Sequence, residues 1–248
     1  MDTVILNGLN LTAENYHITS VDNDLLTEAK INTYIIPRGD KSKSVSRDLG
    51  AKNIVLNGYI VASTPEDLLN KLDILKKTAY STNMVLSITY GSSSRQYIVD
   101  FVSFSPVEKN ITYIEYSLTL SANDPAGQSI IATDVDYPAV TGDLSETINF
   151  SGSFKPEPNI EITINSETDL TEIALTVNGN TLTMTEAFDV DDVLLINIAE
   201  KKVLLNATEI DFEGAFPEFV PGNNIVLIEF TSTVHNADIN FNYYSKWL

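Results

Sequence analysis

The chain has 248 residues, is 43% hydrophobic, contains no cysteine and carries a formal net charge of −19. Its size and apolar content allow one large domain or two smaller ones, while the missing thiols exclude disulfides and thiolate zinc sites and suit synthesis in a reducing cytosol. So acidic a surface repels nucleic-acid phosphates, which need clustered Lys and Arg, and no run of apolar residues approaches the length of a membrane span.

Met1-Asp2-Thr3-Val4 leads into no basic-then-apolar segment, so no secretory signal is expected. Charge is distributed unevenly. Residues 1–125 hold 11 Lys and Arg against 14 Asp and Glu, a balance of −3, and residues 126–248 hold the other 4 and 20, a balance of −16. The contrast predicts two domains, over 1–130 and 143–248, with a linker at 131–142. For most of the carboxylates the plain role is solubility.

In chain order, "VILNGLNLT" combines apolar residues with an Asn7-Gly8 turn, as in a short hairpin. Residues 21–32 follow neither the helical nor the strand period. "TYIIPRGDKSKSVSRDLGAKNIVLNGYIVA" predicts a strand, a polar loop around 37–52 and a returning strand. That loop holds Arg38, Lys41, Lys43, Arg47 and Lys52, with few apolar residues, so it cannot build a core and needs a partner to order it. The spacing then predicts a helix. Thr64 suits the N-cap and Pro65 the first turn. Glu66 and Asp67 lie at the dipole's positive end, with Lys76 and Lys77 at its negative end. Leu68, Leu72, Leu75 and Ala79 form an apolar stripe that docks on a sheet or on a neighbouring subunit.

An antiparallel meander follows: "NMVLSITY", a Gly91–Ser94 turn, "RQYIVDFVSFS", a turn over Pro106–Asn110, and "ITYIEYSLTL". In the last, Ile114, Tyr116, Leu118 and Leu120 alternate onto one face. Aperiodic, Pro- and Gly-bearing sequence from Asn123 to Gly142 ends this region. Beyond it every segment has strand character. "NIEITINS" alternates, Asn178-Gly179-Asn180 and Ala199-Glu200-Lys201 mark hairpins, and "NIVLIEFTS" and "DINFNYYSKWL" close the set. The fold class predicted is mainly β with one helix: an N-terminal β-meander or split barrel, then a jelly-roll, galectin-like β-sandwich.

No residue type falls into a catalytic pattern. His17 and His235 lie in different domains, no G-x-S-x-G elbow occurs, and both histidines are expected in turns or at the surface. Carboxylates are plentiful enough to keep a hydrolase reading open, but they occupy turns and outward strand positions. Asp189–Asp192 ("DVDD") resembles part of a calcium loop without its central Gly or its downstream Glu, so solvated charge is the reading favoured there. No P-loop or dinucleotide fingerprint is present. Catalytic, cofactor and metal residues are therefore assigned as none. Tyr243 and Trp247, on one face of the final strand, offer a sugar-stacking platform. Packing of the sandwich core competes with that role and is favoured, the chain having one Trp.

The stretch "FPEFVPGNNIVLIEF" has its own local logic. Pro221-Gly222 fits the centre of a type II turn. Val226, Ile228 and Phe230 then line one strand face, with Ile225 and Leu227 making the start of the other face apolar. Phe216-Pro217, Phe219, Pro221-Gly222, Asn224 and the Tyr243–Leu248 terminus together resemble the closing signature of the siphovirus-type distal tail protein family of phages, Phe219 standing where an aliphatic residue is more usual. "IIPRGD…RDLGAKNIVLNGYI" and "STPEDLLNKLDILKKTAY" are similar to further segments of that family, in the same order.

The resemblance implies a structural virion protein, not an enzyme, made in the host cytoplasm and needing no cofactor. It implies a hexameric ring at the tail tip, built by the N-terminal domain and clasped by a belt-like loop. Arg38, Lys41, Lys43 and Arg47 of that loop and Leu68, Leu72 and Leu75 of the helix would lie at the subunit interface. The implied partners are the tail tube protein, a tail-associated hub or lysin, and receptor-binding or baseplate proteins. DNA would only pass through the lumen, and nothing would insert into a membrane. The alternative is a carbohydrate-binding adhesin using the C-terminal sandwich.

Overall fold

Two separate apolar clusters organise the chain. The structure, a computed structural model, describes residues 3–13, 15–22, 29–35 and 42–248. It divides into a unit over Met1–Ile130 with Leu248 and a unit over Ile131–Trp247.

The first unit runs β1 (Thr3–Leu6), β2 (Leu9–Asn10), β3 (Tyr16–Asp22), β4 (Ala29–Ile35), β5 (Ser42–Leu49) and β6 (Lys52–Val61). It continues with helix α1 (Pro65–Ala79), β7 (Met84–Tyr90), β8 (Ser93–Lys109), β9 (Tyr113–Ala122) and β10 (Gly127–Gln128). Its main sheet has the order β2-β1-β7-β8-β9-β6-β3, and β10 pairs with β8. The alternation in β9 buries Ile114, Tyr116, Leu118 and Leu120. Helix α1 begins as expected, Thr64 Oγ1 accepting the Asp67 N–H at 3.1 Å, and Asp67 also pairs with Lys71 at 2.7 Å.

Three expectations are corrected here. Leu68, Leu72 and Leu75 are buried in this unit's own core, so the sheet takes the helix's apolar face and leaves none of the three for a neighbouring subunit. Pro106 does not end β8. The register shifts between Pro106 and Glu108, and a bulge is one of the few places where a strand accommodates Pro. Finally, Ser42–Leu49 of the supposed loop is strand β5, paired with β4 from Ala29↔Leu49 to Ile35↔Ser42 in a separate two-stranded sheet. A ladder is satisfied by backbone groups and needs no apolar side chain to form.

The second unit consists of β11 (Thr133–Val140), β12 (Leu144–Phe150), β13 (Asn159–Thr168), β14 (Glu172–Val177), β15 (Asn180–Thr185) and β16 (Val193–Asn197). After these come β17 (Lys202–Leu205), β18 (Thr208–Glu209), β19 (Glu213–Gly214), β20 (Gly222–Thr231), β21 (Val234–Tyr243) and β22 (Lys246–Trp247). Sheets β11-β21-β13-β16-β17-β18 and β12-β20-β14-β15-β19 contribute Ile160, Ile162 and Phe241 from one side and Ile173, Val226 and Ile228 from the other to a shared core, which makes a β-sandwich.

The segment 131–142, expected as a linker, contains β11, paired with β21 through Asp134↔Asn242 and Asp136↔Asn240. Val135, Tyr137 and Val140 pack on the core while the acids between them face outward. The period was therefore present, obscured by Pro138 and two Asp. At Ala139 the strand is distorted, with φ 54° and a register shift between Tyr137 and Val140.

Candidate functional site

The stretch that carried the family resemblance holds a buried network of side-chain hydrogen bonds. Gly222 adopts φ +89°, a conformation that side chains resist and glycine does not, and it starts β20. Asn224, two residues on, is fully buried. Its Oδ1 accepts the Val220 N–H and the Asn178 Nδ2–H, each at 2.9 Å, while its own Nδ2 donates to the carbonyls of Val220 at 2.8 Å and Gly222 at 3.0 Å. Asn178 belongs to the β14–β15 turn, where it and Gly179 have φ 49° and 89°, the left-handed pair a two-residue hairpin turn requires. Asn178 exchanges two further bonds with Ile225: its N–H donates to the Ile225 carbonyl at 3.1 Å, and its Oδ1 accepts the Ile225 N–H at 3.2 Å.

The β14–β15 hairpin turn and the turn that leads into β20 are thus locked by a pair of asparagines. Around the lock, Phe219 packs edge-on against Phe150 at 5.2 Å. Both the donors and the acceptors of the two amides are spent internally, so this motif fixes register and presents nothing to a ligand. Val226, Ile228 and Phe230 are buried as expected. Ile225, on the other face, is 66% exposed.

Arg38 and Lys41 lie outside the described residues, and Lys43 and Arg47 fall on β5. Tyr243 is not a sugar platform. Its ring is buried against Phe150 at 4.4 Å, because its position on β21 faces the sandwich core. Trp247 lies on a separate short strand, β22, so the two do not share one strand face.

His235, expected in a turn or at the surface, is instead buried in β21 and stacked on Phe230 at 4.3 Å. Its Nε2–H donates to the Gly142 carbonyl at 3.3 Å, and its Nδ1 accepts from Ser232 Oγ at 2.8 Å. A catalytic Ser–His pair would have a carboxylate behind the imidazole. A backbone carbonyl occupies that place here, and the ring ties the 142 segment to the β20–β21 turn. His17 is half-buried in β3, stacked on Tyr59 at 4.6 Å. In "DVDD", Asp192 caps its own turn, accepting from the Asp189 N–H at 2.7 Å and from Asn206 Nδ2. Among the described residues no group of three or more His, Asp or Glu is gathered as a metal ion needs.

Residues 151–247 match the family model described as "Siphovirus-type tail component, C-terminal domain". No curated protein sequence matches the chain. Among solved structures, the crystal structure of the Dit protein (gp 19.1) of phage SPP1 aligns over 99% of this chain and 99% of its own, with TM-score 0.75 and 16% identity. A baseplate structure of phage p2, in its activated conformation with Sr, aligns over 97% and 96%, with TM-score 0.50 and 9% identity. The fold is that of a distal tail protein, two β-rich units with one helix in the first. Residues 151–247 thus carry the siphovirus-type tail component domain, and the whole chain shares its fold with the SPP1 protein.

Proposed function

We propose that the chain forms the ring, six copies in number, that closes the distal end of the tail tube and joins it to the hub and receptor-binding proteins of the baseplate. One observation carries this reading: the end-to-end likeness, 99% of both chains, to a protein described as a paradigm of the hub adsorption apparatus of phages infecting Gram-positive hosts. In this reading the first unit builds the ring. The β4–β5 hairpin, bearing Lys43 and Arg47, is the belt that clasps the next subunit, and the sandwich is directed at the baseplate. The chain's net charge of −19 keeps the DNA from adhering in transit, since like charges repel.

Native mass spectrometry of the full chain, alone and with the tail tube protein of the same phage, tests the reading. A six-fold assembly is expected, and a chain that stays monomeric in both settings would overturn it. Deleting residues 40–48 should lower the mass of the assembly, and an unchanged mass would remove the belt role.

A further inference from the structure

Helix α1 separates two exposed patches of opposite character. At its C-terminal end, Tyr80 is 80% exposed and leans on Phe101 at 5.8 Å. Together with Phe104 and the last turn of the helix these rings form an apolar groove of about 480 Å³, rimmed by Lys76 and Lys77. Both lysines are exposed, and neither has an ion pair among the described residues. The nearby Asp100 caps the Asn83 N–H at 2.9 Å.

At the N-terminal end of the helix lies the tip of the β8–β9 hairpin, tied there by the Ala62 N–H, which donates to the Thr112 carbonyl at 3.0 Å. The bulge between Pro106 and Glu108 leaves Val107 unpaired and 65% exposed, and Ile111 in the turn is 71% exposed. Beside them Glu108 and Glu115 stand directly opposite each other across the two strands. Like charges in that position destabilise a sheet unless a cation joins them. Lys109, next along, pairs with Ile114 and belongs to the opposite strand face.

The tip is therefore apolar and acidic, and the groove apolar and basic. Phe101, Phe104 and Val107 lie on one strand, β8, so one copy's tip cannot fold back onto its own groove, and the 15-residue helix, about 22 Å long, separates Ile111 from Tyr80. Resting on the ring reading above, we propose that the tip of one copy, Val107, Ile111 and the Glu108–Glu115 pair, seats in the Tyr80–Phe101–Phe104 groove of the next, its acids facing Lys76 and Lys77. Such a contact uses two different patches, is repeated by every copy in the same sense, and closes into a ring when the rotation allows. Apolar area exposed at both poles is what an unassembled subunit shows before its neighbours cover it.

Charge reversal tests the contact in the full-length chain. Lys76→Glu with Lys77→Glu, and separately Glu108→Lys with Glu115→Lys, should each shift the assembly to monomer in native mass spectrometry. An equimolar mixture of the two variants should regain it, because each tip then meets a groove of opposite sign. Recovery on mixing also shows that neither variant has failed by misfolding. A second arm uses the absence of native cysteine. Tyr80→Cys/Ile111→Cys cannot bridge within one chain across that distance, since a disulfide needs its Cα atoms within roughly 7 Å. Oxidation should give a ladder of covalent oligomers, with neither single variant passing the dimer. An assembly whose mass survives both reversals, or which gives no ladder, overturns this contact and leaves the ring reading standing. A chain that is monomeric with its tube partner and yields no ladder overturns both.

Discussion

The two units spend their polar groups in opposite ways. The sandwich carries most of the chain's negative charge, yet its buried Asn224 and His235 are bonded to partners inside the same unit. The helix-bearing unit is close to neutral, but it leaves apolar and charged groups exposed at the two ends of α1 and holds a core hydroxyl with no hydrogen-bond partner among the described residues. A self-contained block of high charge resists association, whereas a block with unfinished surfaces requires it. The chain supplies a probe for each. Helix α1, whose circular dichroism is distinctive, lies in the first unit, and the one Trp, Trp247, in the second.

The largest effect should come from Leu75→Ala. Leu75 is fully buried beneath the helix, and such truncations cost about 3 kcal/mol through lost transfer energy and a residual cavity. Urea denaturation followed at 222 nm should show an earlier midpoint while Trp247 fluorescence keeps its own. A shift of both signals together would mean that the two units unfold as one block.

Asn224→Ala is the mirror experiment. It strands the Val220 and Gly222 backbone groups and the Asn178 amide, for a loss of about 2–3 kcal/mol. Here the fluorescence transition should move and the helix signal stay. An Asn224→Ala protein of normal stability would show that the lock between the two turns is redundant with the packing of Phe219 on Phe150.

How much of this was legible from the residues follows from the reach of each signal. Local chemistry was readable: the Thr64 cap, the α1 stripe, the β9 alternation and the Asn178-Gly179 turn each depend on neighbours a few positions away. The Asn224 position was visible as part of a family signature, but not the reason for it, because its partner Asn178 lies 46 residues earlier in the chain. Edge strand β11 was hidden because period 2 is weak where Asp and Pro interrupt it, and only its pairing with β21 from the far end of the chain reveals it. Core packing of Tyr243, the reading favoured over a sugar platform, holds, but its partner Phe150 lies too far away in the chain to be read from sequence. Leu68, Leu72 and Leu75 were recognised as a docking stripe, and amphipathicity does not say whether the sheet beneath belongs to the same copy.

Tyr116→Phe should produce a smaller change, of opposite sign. Its hydroxyl has no hydrogen-bond partner among the described residues, and burial holds the phenol well above its ordinary pKa. The oxygen sits so close to Gly58 that a Cβ there would lie 3.0 Å from it. Removing a buried, unpaired hydroxyl should stabilise the first unit by about 1 kcal/mol, read as a later 222 nm midpoint. A loss of stability would reveal a partner for that oxygen in the assembled or hydrated protein, and would weaken the contrast between a finished and an unfinished core.

The smallest effect separates the units by acid. In the sandwich, Asp238 is held below the usual carboxylate range, first by the Ala139 N–H donating at 2.7 Å and then by Asn165. In the first unit Asp67 is lowered, first by its bond to Lys71 and then by the Ser63 N–H. A depressed folded-state pKa means that the unfolded chain takes up the proton first. Each group therefore contributes stability that is present above its unfolded pKa and is lost as pH falls through the folded one. Acidification also relieves the self-repulsion of the −16 half, so the sandwich should lose less overall than its Asp238 bond alone would cost. Asp238→Asn keeps an oxygen to accept the Ala139 N–H but no longer titrates. Between about pH 5 and pH 3, the carboxylate range, its fluorescence midpoint should fall less steeply than the wild type's, with the 222 nm midpoint following the wild-type curve. Asp67→Asn should do the reverse. If either substitution flattens both curves, the acid response belongs to the whole chain and the two units do not titrate independently.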